Sequence, residues 1–301
     1  MKSLFFILAV MLFTTACNQH IIPSNTPIVN KSIVNESGDT ILAGHCAIDI
    51  MYKNPYKIWY DSNYENYKVD SNKAIMLQPL LSNKTIEIFM GSWCGDTRRE
   101  VPRMLKILQV AQMDTNKIKL IFVDNSTATY KQSTENEEHN KNIHHVPTFI
   151  VYDTKEIGRI IETPLESFEK DLLTILLKTA YTPKYKAIEY WIKNVSNKNK
   201  IFNENTLQKN AILLKALCKH SGELNAYGYV LLAQKKYNQA INVLKLNVAI
   251  YPNNAGVYDS LGEAYLTIGD KQNAKINYDK VLQIIPDDTN AKKMLDKILS
   301  M

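Results

Sequence analysis

Few thiols are present: four cysteines in 301 residues. No Cys/His spacing fits a metal site, and "HH" (144–145) and "GHC" (44–46) are too sparse to be ligand sets, so no metal is expected. There is no glycine-rich phosphate loop and no serine nucleophile elbow, and no cofactor is expected. The net charge of +6 is mild and lacks a dense Lys/Arg cluster. The nearest approach, "KNVSNKNK" (193–200), is asparagine-rich and unperiodic, which marks a solvated linker and not a nucleic-acid surface. The apolar run near the start is too short to be a stable membrane span. What remains is ordinary globular composition in a chain long enough for about two domains.

The amino terminus has its own pattern. Lys2 is followed by "LFFILAVMLF" (4–13) and then "TTAC" (14–17). This is a basic region, a short apolar region and small residues before a cleavage point. With a cysteine directly after them, the stretch resembles a bacterial lipoprotein signal, although Thr14 stands where an aliphatic residue is usual. The resemblance implies a signal over 1–16, lipid on Cys17 and a flexible tether over 17–38. It implies a cell-envelope location, facing the periplasm or the surface, with the membrane as a partner through that lipid. An ordinary secretory signal with an incidental cysteine is the alternative. If Cys17 carries lipid, Cys46, Cys94 and Cys218 remain, and an odd count leaves at least one thiol free or paired with a partner.

An aromatic-rich extension over 39–80 reads as an ordered, partly helical segment packed on the domain that follows. Over 81–180 the pattern is mixed. "KTIEIFM" (84–90) and "KIKLIFVD" (117–124) read as buried strands, and "PTFIVYD" (147–153) with "EIGRIIE" (156–162) as a hairpin. "RREVPRMLKILQVAQ" (98–112) has helical spacing, with Pro102 at a bend or in the first turn. "PLESFEKDLLTILLKTA" (164–180) reads as a terminal helix, and the polar stretch 125–142 as a connection of variable character.

The segment "GSWCGDTRREVPRM" (91–104) and the segment "VPTF" (146–149) together resemble the active-site turn and proline loop of thioredoxin-like proteins, with strand–helix–strand spacing between them. The likeness covers roughly residues 41–178 and points to an exported group from Bacteroidetes-type bacteria. It implies an α/β thioredoxin-like domain, a central mixed sheet flanked by helices. It implies that Cys94 is the nucleophilic thiol, that Trp93 shields one side of it, and that Pro147 follows a cis bond and presents the Val146 backbone to an extended substrate. A cysteine at a helix start is favoured as thiolate by free N–H groups and the helix dipole. Arg98 and Arg99 would add to this, and Asp96 would oppose it.

Two positions depart from the family. Thr97 stands where the second, resolving cysteine belongs; its hydroxyl cannot resolve a mixed disulfide but can hydrogen-bond the Cys94 thiolate. Ile88 stands where many members have a buried aspartate, and Glu87 beside it points to the other sheet face in a regular strand. Cys46, in "AGHCAI", reads as a turn entering a helix; it is either a resolving thiol for Cys94 or a buried small hydrophobe. His144 and His145 flank the proline loop, with solvation preferred over a role as base. Asp124 and Glu100 read as solvated or fold-stabilising, not as an acid/base pair.

Toward the carboxyl terminus Gly228, Ala240 and Pro252 recur at Gly262, Ala274 and Pro286, each thirty-four residues on. That period resembles tetratricopeptide repeats. The copy at 255–286 is nearly complete, and the one at 221–252 is less regular. This implies an all-α repeat domain over 221–301, two repeats plus a capping helix (288–301), joined by a helical connector over 181–220. Cys218 reads as buried and inert in a connector helix.

The expected activity is monothiol thiol–disulfide exchange through Cys94 on exported protein thiols or disulfides, with the repeats recruiting a protein or peptide partner. The alternative is a redox-inactive scaffold that binds peptides or proteins.

Overall fold

In the computed structural model, residues 30–196 and 200–300 are described. The signal, Cys17 and most of the tether lie outside them. The described chain builds an α/β unit, then a helical unit. The first contains β1 (Lys31–Val34), β2 (Thr40–Cys46), α1 (Tyr56–Asn66), α2 (Ser71–Leu81), β3 (Thr85–Met90), α3 (Gly95–Val110), β4 (Ile118–Phe122), β5 (Thr148–Tyr152), β6 (Glu156–Ile161) and α4 (Phe168–Leu176). The second contains α5 (Lys186–Asn194), α6 (Glu204–Lys215), α7 (Gly222–Ala233), α8 (Tyr237–Ile250), α9 (Ala255–Thr267), α10 (Lys271–Ile284) and α11 (Thr289–Ser300).

One mixed sheet runs in the order β1-β2-β4-β3-β5-β6. β3 and β4 are parallel, and β5 runs antiparallel to β3. Alternation sorts the side chains onto two faces. Ile86, Ile88, Met90, Leu120, Phe122, Phe149 and Val151 share one cluster with the buried faces of α1 to α4. Phe89, Ile121, Val123, Ile150, Ile143 and Val146 form a smaller cluster on the other face.

The flanking helices of the sheet therefore crowd one face. The second face is covered by the connection from β4 to β5, in which the described secondary structure is a single 3-10 turn at Thr127–Thr129. This connection is polar yet ordered. Asp124 accepts from the N–H groups of Asn125 and Ser126 and from the hydroxyls of Ser126 and Thr129. Buried Glu138 accepts from the N–H and hydroxyl of Ser133. Satisfied polar groups let this irregular segment lie over apolar surface.

The aromatic-rich extension differs from expectation. Besides helices it supplies β2, which pairs antiparallel with β4 and places Cys46 opposite Leu120. Ala43 to Cys46 are thus strand where a turn was expected, and a 3-10 helix (Ile48–Tyr52) follows after Ala47. β1 also begins at Lys31, inside the stretch read as tether. Burial explains the difference: Ile41, Leu42, Ala43 and Cys46 are all buried, so continuous apolar content outweighs the turn signal of Gly44.

α7 to α10 form two helical hairpins and α11 follows them. Gly228 shows why the small residues recur: a Cβ there would stand 2.6 Å from Leu244 of α8. α5 and α6 join the core of the first hairpin through Trp191, Leu207 and Leu214. Buried Asn242 fastens the intervening linker, accepting from Phe202 N–H at 2.8 Å and donating to Lys200 O at 2.9 Å. Among the described residues no helix is long and apolar enough to cross a membrane.

Candidate functional site

β3 ends in the core at Met90, and the chain then turns sharply into α3. Cys94 N–H donates to Gly91 O at 2.9 Å, closing the turn. Gly91 is required by close approach, since a Cβ there would meet the Trp93 indole at 2.4 Å. Cys94 occupies the cap position of α3 with extended backbone, φ −86° and ψ 126°. Cys94 as a residue is half-buried, and its S–H donates to Val146 O at 3.3 Å. The Val146–Pro147 bond is cis. Trp93 packs beside it, held by a 3.0 Å hydrogen bond from Nε1 to Val123 O. Cys94, Trp93, Val146 and Pro147 therefore meet at one end of the sheet.

Thr97 is fully buried and faces the turn. Its hydroxyl oxygen accepts from Gly91 N–H at 3.3 Å. Pro102 lies within α3, past its first turn. The two arginines are engaged elsewhere. Arg98 Nε donates to Ser92 O at 2.9 Å, while Arg99 pairs with Asp96 and Glu100. Glu100, buried and also paired with Arg103, ties α3 together. Arg98 and Arg99 were expected to favour a Cys94 thiolate; their side chains instead serve the turn and the helix. Glu87 projects to the face opposite Ile88 and pairs with Lys141 at 2.5 Å.

Cys46 is buried in the helix-covered core, and burial pushes its thiol up to about 12. Cys218 lies just past α6, not within it, and is half-buried beside Tyr251 and Glu223; burial raises its thiol to about 12 as well.

The histidines depart most from expectation. Neither stands free in solvent, and His145 is half-buried. His144 is buried, and its Nδ1 lies 2.7 Å from Nδ1 of His145, so one ring must offer a lone pair to the other. Burial holds both well below the usual histidine range, His145 at about 3. They face the helical unit. The Tyr185 ring stacks on His145 at 3.8 Å and 16°, and Tyr227 meets His144 edge-on at 5.8 Å.

Sequence reading also passed over Ser92, Lys131, Glu162 and Tyr185. Ser92 Oγ accepts from Leu42 N–H at 3.1 Å and so anchors the turn to β2. Buried Lys131 places Nζ 5.3 Å from the centre of the Trp93 ring. Glu162 donates its N–H to Pro147 O at 2.7 Å and accepts from the Tyr185 hydroxyl. Ser92 lies within the quoted turn but points back to β2, whereas Lys131, Glu162 and Tyr185 belong to no local motif and only a long-range fold brings them together. No group of three or more His, Cys, Asp or Glu among the described residues could hold a metal ion.

The tetratricopeptide repeat family matches residues 255–288, which is the hairpin of α9 and α10 with the turn after it. No curated protein matches the chain. The repeat match suggests a protein–protein interaction role for the helical unit.

Proposed function

We propose that this is an exported, thioredoxin-like protein that carries out monothiol thiol–disulfide exchange through Cys94, its repeats recruiting a protein partner. One observation carries the reading: Cys94 is half-exposed at the cap of a 16-residue helix, with Sγ 3.3 Å from Val146 O. The order β3, α3, β4, hairpin, α4 and its parallel and antiparallel pairings support it.

The chemistry is a sulfur exchange. The Cys94 thiolate attacks one sulfur of a client disulfide. A new S–S bond to Cys94 forms as the old one breaks, and the departing thiolate takes up a proton. Thr97 has no sulfur for the second step. An external thiol, as thiolate, attacks the mixed disulfide, forms an S–S bond to the client and releases Cys94. Electrons balance without a bound cofactor.

Trapping of mixed disulfides from cells tests the reading. Wild type should yield client adducts and Cys94→Ala none; adducts that persist in Cys94→Ala would overturn it. A redox-inactive scaffold is the second reading, favoured by the threonine at position 97 and by the repeat match. It predicts that partners co-purify equally with wild type and Cys94→Ala, without covalent linkage.

Export with lipid on Cys17 completes the proposal. Fatty-acid labelling that disappears in Cys17→Ala supports anchoring; equal labelling of both chains opposes it.

A further inference from the structure

We infer that Tyr185, at the start of the helical unit, is a positioning residue for Cys94, holding the Val146–Pro147 loop in place from outside the α/β unit. The inference rests on the reading of Cys94 as an exchanging thiol.

The backbone gives the first sign. Tyr185 and Glu162 both adopt left-handed φ, 68° and 58°. For residues other than glycine this conformation is strained, and it persists only where the surroundings enforce it. Here each strained residue serves the other: the Tyr185 hydroxyl donates to the Glu162 carboxylate. Lys184 donates to Thr163 Oγ1, so neighbouring residues of the same two segments are joined as well.

From Tyr185 two routes lead to the sulfur. Along one, its ring stacks at 3.8 Å on His145, the residue before Val146. Along the other, Glu162 N–H donates to Pro147 O at 2.7 Å. Both end on the segment whose Val146 carbonyl accepts from Cys94 at 3.3 Å. Burial pushes the Tyr185 phenol up, so it stays a donor at neutral pH, and burial raises the Glu162 carboxyl. The connector that carries Tyr185 therefore helps to fix where the loop sits.

Thiol–disulfide exchange requires the attacking sulfur and the two client sulfurs to align, and a misplacement near 1 Å can cost about a hundredfold. Alkylation by a small reagent makes no such demand on the loop. This separates positioning from general damage.

The experiment uses the full chain and a synthetic peptide whose single cysteine carries thionitrobenzoate in a disulfide. Attack of Cys94 on the peptide sulfur releases coloured thionitrobenzoate. Tyr185→Ala should slow this release about 10- to 100-fold while iodoacetamide alkylates Cys94 near the wild-type rate. Tyr185→Phe, which keeps the stack and is expected to fold, should show a smaller loss of release. Glu162→Asn tolerates the left-handed backbone but is too short to reach Tyr185. Combined with Tyr185→Phe it should be no slower than the slower single variant. Unchanged peptide release in Tyr185→Ala and Tyr185→Phe, or equal loss of release and alkylation, overturns the inference. If wild type itself releases nothing, the thiol-exchange reading fails instead.

Discussion

Cys46 and Cys94 contact opposite faces of one sheet. Cys46 belongs to the core under α1 to α4, and Cys94 packs with Phe89, Ile121 and Val146 on the other side. The Cys46 sulfur is buried, and its thiol is pushed up to about 12. Cys46→Ala should therefore leave the rate of mixed-disulfide formation unchanged and lower stability by about 1 kcal/mol. Thionitrobenzoate release and a urea melt measure the two effects. A Cys46→Ala chain that accumulates mixed disulfides beyond wild type would restore Cys46 as the resolving thiol.

Thr97→Cys places a second sulfur one helical turn from Cys94. The hydroxyl it replaces accepts from Gly91 N–H, so a loss of about 1 kcal/mol is expected. The expected chemical outcome is larger. Mixed disulfides with the peptide should no longer accumulate, because the introduced thiol would displace the peptide and leave an internal disulfide with Cys94. Mass spectrometry under non-reducing conditions reads both species. Persistent adducts would mean that the buried position is closed to exchange.

Acid should loosen the contact between the two units. His145 is held at about 3 by burial, and His144 is also held low. A free histidine titrates near 6.5. Between about 6.5 and about 3 the unfolded chain binds protons that the folded chain refuses, so stability falls as pH falls through that window. Each histidine contributes a slope of up to about 1.4 kcal/mol per pH unit. Lys131 and Arg159 facing His144, and Lys131 and His220 facing His145, act in the same direction. Thermal melts over this range should show a steeper dependence for wild type than for His144→Gln/His145→Gln. Parallel profiles would show that the pair takes up protons without cost.

Gly228→Val tests the packing of the repeats. With a Cβ only 2.6 Å from Leu244, overpacking should cost about 1–3 kcal/mol, visible in a urea melt. Gly256→Ala is a control, because a Cβ on this exposed residue at the start of α9 would meet the capping Asn254 Oδ1 at 3.3 Å and no packed helix. Equal effects of the two substitutions would contradict close helix approach at Gly228.

Much of the architecture is local and therefore legible. The apolar runs at 84–90 and 117–124 became β3 and β4 because their alternate residues fill two apolar clusters. The thirty-four-residue recurrence of Gly, Ala and Pro marked the helical hairpins, since small residues and helix stops act within a few turns of chain. "WCGD" before a helical pattern placed a thiol at a helix cap, and Cys94 stands there.

Long-range pairing was less legible. β2 was missed because Gly44 gives a turn signal within its short apolar run, and the burial that makes that run a strand comes from pairing with the edge of β4. His144 and His145 read as solvated because nothing in "NIHHVP" announces that Tyr185 and Tyr227 will cover them. Arg98 and Arg99 read as thiolate partners by proximity in sequence, whereas carbonyl and carboxylate geometry decided their contacts.

The sequence by itself determined a thiol at the head of a helix, a threonine where a second sulfur would serve, and a repeat period near the end. These are short-range properties, set by backbone propensity and spacing. Only the tertiary structure decided which face each cysteine occupies, and that Tyr185 and Glu162 meet beside the Pro147 loop. Burial and stacking join residues far apart in the chain, and their free energy exists only once the whole fold brings those surfaces into contact.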